Sequence, residues 1–391
     1  MTALTSTTIR LPRADGSIAE YTMHEPGQFQ KHPEQFTSRK VYAAAHVVAD
    51  VRAEYQPGVL APVDWESTIE FRKYLFSYGI GIAEGMDTSE RGPEGLDWNQ
   101  AKTLIRYGNE AAKEAGAGIV SGAGTDQLTV ENPTLEQVIE AYIEQIEYVE
   151  SCGSAAVIRA SHALVAAAKT EEDYLHVYRS ILAKVTKPVV VHWLGTVFDP
   201  SLLGYWGHTD LREAMRVVLT MAEENKDKIQ GIKFSLLDAE FEKEFREAVP
   251  EGVVVFTGDD YGYTELLLGD EKAHSHGLLG VLDPIAPIAS QAFAALDRGD
   301  RETFRSVMDS TIPFAVKMFE APAARYKTGT VFMAWLSGFQ DHYRQVTGRE
   351  GQRSVQHLTD LFIGADELGL FPNPELAAHR MGLMLASNGI A

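Results

Sequence analysis

Pro188-Val189-Val190-Val191-His192-Trp193 and Ile229-Gln230-Gly231-Ile232-Lys233-Phe234-Ser235 are the two runs on which the fold is decided. Both are short and rich in Val and Ile, and neither alternates strictly between apolar and polar residues. That is the pattern of a parallel strand buried on both faces. Between them Leu211, Ala214, Met215, Val218, Leu219 and Ala222 recur at helical spacing and form one apolar stripe. The three segments together spell strand, helix, strand.

The same unit recurs in both directions. Candidate buried strands are Val41–Val51, Gly79–Ala83, Gly118–Gly122, Ala155–Ala160, Pro188–Trp193, Ile229–Ser235, Val253–Thr257 and Gly277–Leu282. A second clear helix spans Thr134–Ser151, where Leu135, Val138, Ile139, Tyr142, Ile143, Ile146 and Val149 share a stripe; Thr134 and Gln137 can form a capping box at its start. Eight such units over roughly 250 residues match a (β/α)8 TIM barrel. A doubly wound open sheet is the alternative, since alternation alone does not say whether a sheet closes. The absence of a glycine-rich dinucleotide fingerprint after the first strand counts against it.

The expected organisation is an N-terminal extension over 1–40, the barrel over 41–300 and a C-terminal helical region over 301–391. In the extension, Thr8–Leu11 and Ile18–Met23 flank a turn at Arg13-Ala14-Asp15-Gly16-Ser17 and predict a β-hairpin that covers or decorates the barrel. The C-terminal helices are expected outside the barrel or at an oligomer interface.

Of the 391 residues 45% are hydrophobic and 23% charged, an ordinary globular composition. A formal net charge of -20 disfavours nucleic acid and anionic membrane as partners. Cys152 is the only cysteine, which excludes an intrachain disulfide and a thiolate metal cluster. Met1-Thr2-Ala3-Leu4-Thr5 lacks the order of a signal peptide, and no apolar run approaches ~20 residues. A cytoplasmic protein with a small-molecule substrate is the expectation.

Barrel chemistry sits at the C-terminal ends of the strands and in the loops that follow. Those ends offer Glu84 and Asp87, the Gly122-Ala123-Gly124-Thr125 turn, Arg159, Ser161 and His162, His192 and Trp193, Lys233 and Ser235, Asp259, Asp260 and Tyr261, and Asp283. Lys233 is the anomaly, because lysine is almost never fully buried unless paired or functional. Desolvation lowers an amine's pKa, and the neutral amine is the form that attacks a carbonyl. The competing explanation is an edge strand with the lysine turned to water.

Gly231-Ile232-Lys233 followed by Ser235 resembles the Schiff-base motif of the dihydrodipicolinate synthase / N-acetylneuraminate lyase family of class I aldolases and dehydratases. Thr257-Gly258-Asp259-Asp260 resembles that family's strand-seven element. Gly277-Leu278-Leu279-Gly280, Pro287 and Arg298-Gly299-Asp300 resemble its strand-eight segment, and Phe319-Glu320-Ala321-Pro322 with Lys327 its C-terminal helices. The likeness runs over roughly 60–370 and is densest over 229–300. It implies a homo-oligomeric TIM-barrel lyase that needs neither cofactor nor metal, with Lys233 as the imine-forming residue and Ser235 and Asp259 positioning it.

The departures concern the substrate. In that family a tyrosine closes strand five and relays protons; here His192 stands in its place and is the candidate acid or base. The family's Gly-Thr-Thr-Gly-Glu turn, which holds the carboxylate of a 2-oxo acid, is replaced by Ala83-Glu84-Gly85-Met86-Asp87. Like charges repel at short range, so Glu84 and Asp87 would serve a carboxylate poorly. Either Arg159 holds the anionic group, or the substrate is not an ordinary 2-oxo acid and Glu84 and Asp87 meet hydroxyls, as on a keto-sugar derivative. Tyr261 is a further candidate for lining the pocket.

Two other functions stay open. A metal-dependent barrel isomerase or hydrolase would use His192, Asp259 and the His274/His276 pair. A non-catalytic, sugar-binding barrel would explain the loss of the tyrosine and of the carboxylate turn.

Overall fold

The computed structural model describes residues 7–56, 59–92 and 95–390. Its first two strands, β1 (Thr8–Pro12) and β2 (Ile18–Thr22), pair antiparallel with Thr8 opposite Thr22. Asp15 closes the turn between them by accepting from the Ser17 amide at 2.9 Å and the Ser17 hydroxyl at 2.6 Å. Eight parallel strands then close into a barrel: β3 (Val41–Ala44), β4 (Gly81–Glu84), β5 (Ile119–Ala123), β6 (Ala155–Ile158), β7 (Val189–Leu194), β8 (Ile229–Ser235), β9 (Val254–Thr257) and β10 (His276–Leu279), with β10 returning to pair with β3. The sheet closes, so the open-sheet alternative falls away.

Side-chain parity along the strands decides which residues face the barrel interior. Ala44, Ala83, Val120, Val157, Val190, Phe256 and Leu278 form the inner cluster. Val189, Val191 and Trp193 of β7 instead join the cluster packed against the outer helices. His192 therefore shares the inward face with Val190. On β8 both Ile229 and Ile232 belong to the outer cluster, although they are three residues apart. A bulge resolves this: Val189 pairs with Ile229 and Val190 with Gly231, leaving Gln230 as the extra residue. From there Gly231, Lys233 and Ser235 alternate inward.

The first and the last expected strands end early, for physical reasons. The first stops at Ala44 because side chains take over its backbone groups: Asp283 accepts from the His46 amide at 2.9 Å, and Arg72 donates to the His46 carbonyl. The last stops at Leu279, where the chain turns into the helix Leu282–Asp297. The predicted helix at Thr134 has its capping box, and the helix runs Leu135–Cys152.

Residues 27–40 run across the N-terminal face of the barrel. The His32 amide bonds the Ser77 carbonyl, the Gln35 side chain bonds the Gly116 carbonyl, and Arg39 bonds the carbonyls of Leu267 and Leu268. The hairpin itself is tied to the C-terminal helices, because buried Asp366 accepts from the Tyr21 hydroxyl at 2.8 Å and the His24 amide at 3.0 Å. Four longer helices, Arg301–Phe319, Tyr326–Leu336, Val355–Glu367 and Pro374–Ser387, make up the C-terminal region. They are not confined to the outside, as the sequence suggests: the segment 324–328 lines the cavity at the barrel mouth. No helix among the described residues is long and apolar enough to cross a membrane.

Candidate active site

Lys233 and His192 lie side by side in the β7–β8 register, both facing inward. Lys233 is 7% exposed, and its ammonium makes no hydrogen bond or ion pair with another described residue. It lines a small niche with Ala44, Thr88, Ser235, Asp260 and Tyr326. The niche shares Asp87, Leu194 and Phe198 with a cavity of about 690 Å³ that opens at the mouth and is lined by Arg159, His192 and Lys327. The lysine thus sits at the foot of a space large enough for a sugar-sized ligand.

Burial lowers the pKa of Lys233, while the nearby carboxylates Asp87 and Asp260 work in the opposite direction. The two acids respond differently. Burial alone would raise Asp87, but Lys327, Lys233, His192 and Arg159 outweigh it and hold the carboxyl at about 2. Asp260 is pushed up to about 7 by burial, against the Val281 amide that it accepts at 3.0 Å and the charge of Lys233. One carboxyl therefore stays ionised beside the amine and the other titrates near neutrality.

His192 Nε2 lies 3.0 Å from the Ser235 hydroxyl. Burial and, secondarily, Lys233 press its pKa well below the ordinary imidazole value, so the ring is neutral at physiological pH. Gly258 makes the arrangement sterically feasible. A Cβ there would stand 2.1 Å from Ser235 Oγ and 3.1 Å from Lys233 Cε. Tyr326 closes the niche from the C-terminal region, with its hydroxyl 2.5 Å from Thr88 Oγ1 and 3.2 Å from Asp87 Oδ2.

The other sequence candidates divide. Arg159 lines the cavity, 3.8 Å from Asp126, whose carboxylate is already held by Arg91 at 2.8 Å and 3.1 Å. Glu84 points away from the cavity into a fully buried bidentate pair with Arg72, at 2.9 Å and 3.0 Å, so it does not meet a substrate hydroxyl. Asp259 spends Oδ1 on the amides of Tyr261 and Gly262, at 2.8 Å and 2.9 Å, and so shapes the loop after β9; its neighbour Asp260 is the acid beside Lys233. Tyr261 donates to the Phe319 carbonyl at 2.6 Å and lines neither space.

The metal-ligand set His192, Asp259, His274 and His276 does not converge. His276 opens β10 at the N-terminal end of the barrel, where its Nδ1 accepts from the Lys40 amide at 3.0 Å. Among the described residues no group of three or more His, Cys, Asp or Glu side chains is placed to hold a metal ion. Sequence reasoning missed Tyr326 and Arg325 at this site and gave Lys327 and Asp260 no chemical role. Asp260 carried a usable signal, being an acid at the end of a barrel strand. The other three come from the C-terminal region, where no periodicity announces a cavity.

A family model described as "Protein of unknown function (DUF993)" matches residues 9–390. No curated protein matches the sequence. Solved structures share the fold at low identity. Dihydrodipicolinate synthase from Aquifex aeolicus superposes with a TM-score of 0.62 at 13% identity, covering 86% of this chain and 100% of its own. The chloride-inhibited enzyme from Acinetobacter baumannii, complexed with pyruvate, gives 0.62 at 16%, covering 85% and 100%. Dihydrodipicolinate synthase from Oceanobacillus iheyensis gives 0.53 at 15%, covering 89% and 97%.

Proposed function

The chain belongs to the family described as Protein of unknown function (DUF993), and we propose that it is a Schiff-base-forming lyase, an aldolase or dehydratase acting on a small oxygenated carbonyl compound such as a 2-oxo acid or keto-sugar derivative. The observation that carries this is Lys233: a buried amine with no ion pair, at the foot of a cavity, between an acid held near 2 and one near 7. A lysine kept only for stability would sit on a carboxylate or reach water.

In the proposed reaction Lys233 Nζ attacks the substrate carbonyl carbon. The carbinolamine then loses water to give a protonated imine. Asp260 titrates near neutrality and can take up and return the protons of that dehydration. Asp87 remains ionised and balances the iminium charge. The imine is the electron sink: when a neighbouring C–C or C–H bond breaks, the electron pair is delocalised as an enamine. His192, neutral and steadied by Ser235, is the base that receives the proton released in that step. Arg159 steadies an anionic group of the substrate. The imine supplies the electronic activation, so the sequence ascribes no step to a cofactor.

Borohydride trapping with peptide mass mapping, across a panel of 2-oxo acids and keto-sugars, tests this. The expected result is a reduced adduct on Lys233 with at least one compound, and none in Lys233→Ala. An adduct mapped to Lys327 would move the nucleophile to the half-buried amine of the outer cavity. Absence of any adduct across the panel would reject imine chemistry.

A further inference from the structure

We propose that Arg325 and Lys327, together with Arg159, build an anion subsite in the outer cavity, and that the substrate carries a phosphate or carboxylate at the end remote from its carbonyl. The placement of the carbonyl rests on the Schiff-base reading; the subsite itself does not.

Three observations support it. All three cations line the outer cavity and none lines the niche of Lys233, so they address a different part of a bound molecule. The Arg325 guanidinium and the Lys327 ammonium make no hydrogen bond or ion pair with a described residue. The Lys327 ammonium stands over the Tyr326 ring, 5.7 Å from its centroid. The acids of the same lining are committed elsewhere. Glu90 accepts from the Val346 and Thr347 amides at 3.2 Å and 3.0 Å and from the Thr347 hydroxyl. Asp126 is held by Arg91 and Asp199 lies 2.6 Å from His162 Nε2, while Asp87, which accepts from Tyr326, attracts Lys327 without forming an ion pair with it.

The electrostatics point the same way. Lys327 has its pKa lowered by burial, with Arg159 and Arg325 adding like-charge repulsion against the pull of Asp87 and Glu90. Three cations around one cavity repel one another, and an anion seated among them relieves that repulsion. The size agrees: a cavity of about 690 Å³ leaves unused room around a three-carbon 2-oxo acid, whereas an elongated hydroxylated chain with a charged terminus would fill it. Guanidinium and ammonium groups serve both candidate anions, Arg by its planar fork and Lys as a point charge.

Calorimetric titration of the full chain at low salt, with inorganic phosphate in one arm and malonate in the other, tests the subsite. Saturable binding of one ion is expected in wild type, weakened at least ~10-fold in Arg325→Ala and in Lys327→Met and retained in Lys327→Arg. Circular dichroism confirms that each variant is folded, and Arg325→Ala carries the test alone if Lys327→Met is not. Preference for phosphate or for malonate assigns the terminal group. Binding unchanged in both charge-removing variants, or no saturable binding of either ion, overturns the proposal. Lys233→Ala should bind the ion as wild type does while losing the borohydride adduct. Failure of the imine reading and failure of the subsite are thus read on different measurements.

Discussion

Lys233 has room in the barrel because residue 258 has no side chain. An alanine Cβ at that position would lie 2.1 Å from Ser235 Oγ, so the serine has to turn and its contact with His192 is lost. Gly258→Ala should therefore cut the rate of borohydride trapping at least ~10-fold, with a stability loss of about 1–3 kcal/mol from overpacking. Parallel trapping and urea unfolding separate the two, and an unchanged trapping rate would show that the close packing around the lysine does not matter. His192→Ala should behave differently. The adduct on Lys233 still forms, while turnover falls by roughly 10²–10⁴, the usual worth of a positioned base. Loss of the adduct in that variant would place His192 in imine formation instead of the later proton transfer. Lys233, His192 and Ser235 are legible in the sequence because a strand's parity and its C-terminal end fix where a side chain points. Glu84 satisfies the same rule and yet is no ligand, since its partner Arg72 comes from the helix Trp65–Phe76, a contact no local pattern reveals. Adjacent Asp259 and Asp260 look alike in sequence; only the turn after β9 separates the loop-forming acid from the one beside the lysine.

At the scale of elements, two buried polar clusters fix how the first strands meet the helices. Arg72 joins Glu84 at the end of β4 to the His46 carbonyl just past β3. His46 in turn lies 2.8 Å from Asp283 and 3.0 Å from Gln340 Oε1, whose amide nitrogen is held by the His342 carbonyl. The carbonyl end of Gln340 is thereby turned to His46 Nε2, which must donate. Glu84→Gln leaves Arg72 buried without its counter-charge and should destabilise by about 3–5 kcal/mol in urea unfolding, whereas Arg72→Met with Glu84→Leu should recover most of that loss. Both proteins, where folded, should still trap a carbonyl compound on Lys233; a selective loss of trapping at unchanged stability would return Glu84 to the substrate. The eight strands were visible in the sequence because each is a short apolar run between helical stripes. Their ends were not, because side chains from elsewhere terminate β3 and a helix start terminates β10. The bulge at Gln230 was legible only as imperfect alternation.

For the whole molecule, composition disfavours nucleic acid as a partner but hides the way charge is distributed. The chain is acidic overall, yet it places cations in one cavity and buries carboxyl groups under its helices. Glu242, fully buried, accepts from Thr257 at 2.9 Å and Ser275 at 2.7 Å, and burial pushes its pKa up to about 8 despite those bonds. Asp260 is raised to about 7. Across the window from the ordinary carboxyl range to these values the folded chain keeps protons on these two acids that the unfolded chain has released, so their contribution to stability is lost as pH rises from about 4 to about 8. The neutral His192, His274 and His276 act the other way below the ordinary imidazole range. Asp87 also runs opposite to the two acids: held at about 2, it contributes stability that is present above its ordinary pKa and is lost as pH falls from there through about 2. Growing negative charge also weakens the fold at high pH, but it acts alike on wild type and on a single neutral variant. The difference between the two is therefore the readout. The urea midpoint of Glu242→Gln relative to wild type should rise steadily from pH 5 through 6.5 to 8, with the gap already open by pH 6.5. Parallel declines would mean that Glu242 is already ionised in the folded chain, and that the two hydroxyls and nearby Arg246 compensate its burial in full.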